Sequence, residues 1–295
     1  MPIAIQGGAE GLLFGATLAA IAVGFTLTFG VLDLANFAHG DFVTIGMYFG
    51  WGLFVQLHVN PLLAAALVVP LGFVFGTVLF FAGIERVQRS SRILQMVLTL
   101  GILLVVENVL LLVFSGNYQV VYLPIATQHF RLLGLGIGVA AAVNGLMALG
   151  AVALVWLFLH RTAFGRVIRA CAQSELGTRL VHLPVRKAQI VALSLSLSLA
   201  MFAGCLLIQV QPVAPFAGLD FTLVAFLVAV VGGLGDIPGA VIGSLFYGVI
   251  SGVLSSVMNP SVAAIVALGM LILVLAIAPE GLPSLLRFAR SNVAR

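Results

Sequence analysis

Four side chains able to move protons or bind backbone groups crowd into Val31 to Phe42: Asp33, Asn36, His39 and Asp41. Asp33, Asn36 and His39 are spaced three apart, so on a helix they form a slowly drifting stripe. Two chemistries fit. One is a proton relay through Asp33, His39 and Asp41. The other is structural: the side chains bond backbone groups freed by a broken helix, with Asp41 as an N-cap and Gly30 and Gly40 allowing the bends. A second stretch holds Gly233, Gly235 and Asp236 within Gly232 to Ala240. Its glycines follow G-x-G-x-x-x-G, no lysine follows, and the chain contains no Walker A motif. That pattern suits a tight turn between half-helices, with Pro238 in a first helical turn. Glu107 sits alone in an apolar run, where it faces a transport path or bonds a neighbouring helix. No histidine, cysteine or acid has metal-ligand spacing, so no metal is expected.

The elements that position these residues follow from composition. Of 295 residues, 62% are hydrophobic and only 7% charged; soluble domains carry roughly 25% charged residues. The chain is therefore an integral membrane protein. A helical span takes about 20 apolar residues, which leaves no room for a soluble domain. The expected fold is all-α: one polytopic helical bundle over 1–295, with eight or nine spans and discontinuous helices. The apolar runs are Gly11 to Gly30, Phe42 to Leu57, Pro61 to Ala82, Ile93 to Phe114, one within Leu132 to Leu159, Ala188 to Val210, Phe221 to Val231, Val241 to Val257 and Ser261 to Ala278. Phe221 to Val231 is short for a crossing. The alternating Ser194, Ser196 and Ser198 read as helix, because the run around them is long and apolar. Basic residues place 85–92, 160–187 and 284–295 in the cytoplasm. The N-terminus is then outside if Phe221 to Val231 crosses and the first two runs both span. The net charge of +4 comes from these loops, and no basic patch with interleaved aromatics points to nucleic acid. The N-terminus lacks the basic region of a cleaved signal peptide. Cys171 and Cys205 lie in a loop and a span and are not expected to pair. The two glycine-and-acid breaks, one in each half, point to discontinuous helices lining a path.

His160 to Lys187 is the one long polar segment, with six of the thirteen basic residues. Phe164, Val167, Ile168, Cys171 and Ala172 fall at helical spacing with arginines opposite. Glu175, Arg179 and Leu180 continue the pattern up to Pro184, which stops it. A short amphipathic cytoplasmic helix lies on lipid or docks a soluble partner.

These motifs resemble a known family in order along nearly the whole chain. Asn36-Phe37-Ala38-His39-Gly40 with Asp41 resembles the signature after the first span of branched-chain amino acid ABC-transporter permeases. The stretch from Gly232 to Ala240, GGLGDIPGA, resembles their second signature. Arg161 to Arg166 with Arg169 to Gln173 resembles their coupling segment, and Pro279-Glu280-Gly281-Leu282 their ending. The resemblance implies a multi-pass permease subunit of the bacterial inner membrane, not itself an enzyme. It implies a second related permease, the same chain or another, and an extracytoplasmic substrate-binding protein. It also implies two cytoplasmic ATPase subunits that bind the ATP and Mg; this chain would hold no cofactor. Phe164, Arg169, Ala170, Cys171, Ala172, Glu175, Leu176, Arg179 and Leu180 would form the coupling helix in the ATPase cleft. The implied substrate is a branched-chain or other hydrophobic amino acid; relatives also carry urea, short amides and aromatic or other carboxylates. A proton-driven transporter using Asp33, His39 and Glu107, or a channel, are the competing classes. The chain departs from the family at His182-Leu183-Pro184-Val185, where a Gly-Ile-Asn-Val-like run is usual, and at Asp236, where a small polar residue is common.

Overall fold

Backbone amides in lipid must be satisfied within the protein, and helices do this locally. The computed structural model describes residues 3–88, 90–122, 128–132 and 135–277. The Pro279-Glu280-Gly281-Leu282 motif and the basic tail lie outside the described residues. The helices are α1 Ile3–Leu32, α2 His39–Leu57, α3 Pro61–Leu79, α4 Glu85–Val87, α5 Arg92–Phe114, α6 Val139–Arg161, α7 Ala163–Gln173, α8 Glu175–Leu180, α9 Val185–Leu207, α10 Ala217–Gly232, α11 Ile237–Val257 and α12 Pro260–Ile277. A π-helical stretch, Phe80–Ile84, joins α3 to α4 without a break. The one described sheet is a hairpin of β1 His129–Leu132 and β2 Leu135–Gly138, with His129 opposite Gly138.

By length and composition, six helices are able to cross a membrane: α1, α3 continued through α4, α5, α6, α9 and α11. Helices α10 and α12 are shorter and apolar. The protein is thus an all-α, multi-pass membrane protein. Helices α1 and α9 form its centre and are mostly buried, whereas α5 turns Val105, Leu112 and Val113 outward.

Close packing comes from small residues at four-residue spacing, which let helix backbones touch. Gly7, Gly11 and Gly15 of α1 meet Ser244, Gly248, Gly252 and Ser256 of α11, running antiparallel. The serines of α9 are helical, as the sequence reading expects. Ser198 donates to the Val69 carbonyl at 3.0 Å, and the Ser194 hydroxyl lies 3.0 Å from that of Thr77, tying α9 to α3.

Two ion pairs gather the basic loops at one end. Arg92 pairs with Asp33 at 2.9 Å, and Arg186 grips Glu85 with two bonds of 2.6 and 2.9 Å. Residue 33, segment 85–92 and the start of α9 therefore share one face, which the positive-inside rule makes cytoplasmic.

Candidate functional site

The break between α1 and α2 lies inside the bundle. His39 Nε2 donates to the Ile21 carbonyl at 2.9 Å, and its ring meets Phe25 edge-on at 5.6 Å. Ile21 stands eleven residues before Leu32, about 16 Å up α1 at 1.5 Å per residue. Residues 33–38 therefore climb back from the cytoplasmic face, and α2 starts at mid-depth.

Backbone at that depth needs internal partners. Asn36 supplies one: its Oδ1 accepts the Ala38 N–H at 3.2 Å. The other partner comes from α10. The Thr222 hydroxyl accepts the Gly40 N–H at 2.8 Å and donates to the Phe37 carbonyl at 3.0 Å. One side chain thus closes both edges of the turn. The approach of α10 requires glycine twice. A Cβ at Gly40 would strike the Gly218 carbonyl, and one at Gly218 would strike Asp41.

The N-cap reading of Asp41 does not hold. Ala38 occupies the cap position, with no side-chain cap, and Asp41 stands inside the first turn. Its carboxylate is fully buried, and neither oxygen has a hydrogen-bond partner among the described residues. Its electrostatic neighbour is Glu107. The register agrees: Tyr48 stacks on Phe114 at 4.3 Å, and Asp41 and Glu107 stand seven residues earlier on α2 and α5. Asp33 stands apart from this group. It pairs with Arg92 at the surface, with its side chain 66% exposed. Asp33, His39 and Asp41 are not joined by any hydrogen bond among the described residues.

The second break completes the line toward the cytoplasm. Gly233 and Gly235 have φ of 98° and 85°, the left-handed region that glycine enters freely. Gly235 packs against Gly30 of α1, and Ala172 of α7 also faces Gly30. Asp236 is exposed, and Pro238 falls in the first turn of α11. The glycine turn and α7 therefore both rest on the last turns of α1.

The cytoplasmic segment is two helices where the sequence suggests one. Ser174 ends α7 and caps α8, its hydroxyl accepting the Gly177 N–H at 3.0 Å. Ile168 and Cys171 are buried, Phe164, Arg169, Ala170 and Glu175 half-buried, and Ala172 exposed. Arg169 Nε donates to the Leu159 carbonyl at 3.1 Å, which anchors α7 to α6. Glu175 and Arg179 pair along α8. Leu176 and Leu180 stand 70% and 72% exposed on its outer side. Burial, then the Glu175 carboxylate, push the Cys171 thiol up, with Arg179 opposing. His182 sits at φ 57°. That is the position where the resemblance expects glycine, and its left-handed backbone is the reason glycine suits it.

Sequence reasoning missed Thr222. Its signal was a hydroxyl four residues after Gly218, the spacing of close helix contact.

A helix break braced at mid-depth by α10, within a bundle that has six helices able to cross a membrane, is the build of a multi-pass membrane protein. The family model for the permease component of the branched-chain amino acid transport system matches residues 8–275, and the chain belongs to that family. Similar proteins include the high-affinity branched-chain amino acid permease LivH of Escherichia coli K12, 28% identical over 293 residues, covering 92% of this chain and 93% of LivH. BraD of Pseudomonas aeruginosa, of the same description, is 30% identical over 295 residues, with 92% and 93% covered. A probable branched-chain amino acid permease, LivM of Methanocaldococcus jannaschii, is 27% identical over 247 residues, covering 79% of this chain and 70% of LivM. No solved structure matches the chain.

Proposed function

We propose that this chain is one membrane subunit of an ABC importer for branched-chain or other hydrophobic amino acids. The observation that carries the reading is the continuity of α10. Its early turns hold the mid-depth break through Thr222, and its far end, Gly233 to Gly235, rests on α1 beside α7. The described names of LivH and BraD support the substrate class. The match to both LivH and LivM supports a partner permease of the same family, another chain or a second copy.

In this reading the helices make nine crossings within a single domain, with residues 33–38 and α2 together forming the second. The N-terminus is outside and the protein lies in the bacterial inner membrane. An extracytoplasmic binding protein delivers the amino acid. Two cytoplasmic ATPases bind ATP and Mg, and Leu176 and Leu180 dock one of them. Nucleotide closure then moves α7 and α8, and through them the glycine turn and α10. Asp41, Glu107, Asn36 and His39 line or brace the path; none acts as a catalyst.

The test is uptake of labelled leucine by cells expressing the chain together with ATPase, permease and binding-protein subunits of the same organism's branched-chain amino acid system. Depleting ATP while holding the proton gradient abolishes uptake. Uptake that survives this but collapses with the gradient would establish a proton-driven carrier instead. Uptake of urea or a carboxylate in place of leucine would move the chain to another substrate branch.

A further inference from the structure

A cavity of about 640 Å³ lies between α1, α10, α11 and α12. Helix α12 packs on α10 and α11 and leaves space before α1. The cavity meets Gln211 and Pro212, just before α10, and Pro260 and Ser261, at the start of α12. These stand at the ends of their helices away from the Asp33–Arg92 pair, so the cavity opens outward. Its volume is in the range of small-ligand clefts.

The wall chemistry is divided. Phe14, Leu18, Phe221 and Leu268 make it largely apolar. Among the described residues, Asp220 contributes its one carboxylate and no basic side chain lines it. Asp220 takes part in none of the ion pairs found among the described residues. Tyr247, on the same wall, is an electrostatic neighbour of Asp220. A carboxylate outside those ion pairs, set against an apolar wall, suits an ammonium group attached to hydrocarbon. A place for negative charge lies alongside. Gln211 lines the same cavity, and its side-chain amide is a donor.

Resting on the amino-acid importer reading, we propose that this cavity is the outer site for the transported amino acid. Asp220 takes the ammonium, and the Gln211 amide takes the carboxylate. Phe14, Leu18, Phe221 and Leu268 take the aliphatic side chain. Phe221 lines the site and the next residue is Thr222, so occupancy bears on the helix that holds the mid-depth break.

The test places a reporter at the mouth. Ser261→Cys, exposed at the start of α12, is labelled by a membrane-impermeant maleimide added outside intact cells that express the full complex. The native Cys171 and Cys205 are buried. Leucine slows labelling, and 4-methylpentanoate, leucine without its ammonium, does not. Adding Asp220→Asn raises the half-protecting leucine concentration about tenfold or more, the effect of one lost charged hydrogen bond. Asp220→Glu retains protection, which separates charge from folding. Equal protection by 4-methylpentanoate, or protection unchanged by Asp220→Asn, overturns the site. So does leucine uptake by the Ser261→Cys complex without protection of the cysteine. A parent complex that takes up no amino acid overturns instead the importer reading beneath it.

Discussion

Replacing Thr222 with valine removes one hydroxyl and almost no volume. Two buried backbone groups then lose a partner, the Gly40 N–H and the Phe37 carbonyl. A buried polar group left unpaired costs about 1–3 kcal/mol, so the pair sets a range of about 2–6 kcal/mol. Hydrogen bonds between membrane helices average only about 0.6 kcal/mol, because freed groups find new partners. Here Gly40 lies against Gly218 and His39 is fixed to Ile21, so the turn has little room to find one. The measurement is reversible unfolding in mixed micelles as SDS is added. It is followed by the fluorescence of Trp51, which lies on α2 against Phe114. Thr222→Val loses at least 2 kcal/mol, while Thr222→Ser, lacking one methyl, stays within about 1 kcal/mol of the parent. A loss near 0.6 kcal/mol for valine would refute the claim that this hydroxyl holds the break.

Other outcomes are equally specific. Leu176→Asp with Leu180→Asp abolishes ATPase association and uptake while unfolding in micelles is unchanged; retention of both contradicts the docking role. Asp33→Asn changes stability by less than about 1 kcal/mol, since its ion pair is exposed, and leaves uptake intact, whereas a proton relay requires uptake to vanish. Asn36→Leu impairs assembly more than His39→Gln, judged by membrane yield and uptake side by side; the reverse order favours proton chemistry. Cys171 alkylates slowly near pH 7 and faster as pH rises, because its raised pKa leaves little thiolate; mass spectrometry across pH reads the rate, and fast reaction at neutral pH contradicts its burial.

The sequence exposes what is local and hides what is distant. The break before α2 was legible because polar residues interrupt an apolar run. Its chief partner was not, since Thr222 follows 182 residues after Gly40 and looks like one more residue of an apolar helix. Asp41 follows a glycine at the head of a helix and so reads as a cap, yet the turn places Ala38 there. The inner face of α7 followed from spacing, because Ile168 and Cys171 obey the helical period. The split at Ser174 was available from its capping chemistry but was masked by continued periodicity through Glu175 and Arg179. The β1–β2 hairpin stayed hidden because Leu132 and Leu135 match the hydropathy of the span that follows.

The contact between α1 and α11 has a mechanical consequence. With Gly11 seated against Gly248 and Gly252, and Gly15 against Ser244 and Gly248, the two backbones interlock like rack teeth. Sliding by a fraction of a turn drives main chain into main chain, and the next free notch is a whole turn away, about 5.4 Å. These two helices therefore travel as one rigid keel through any transport cycle. The compliance that a cycle demands falls to the helices without such teeth, so changing the pitch of this seam would stop the machine without touching its cargo.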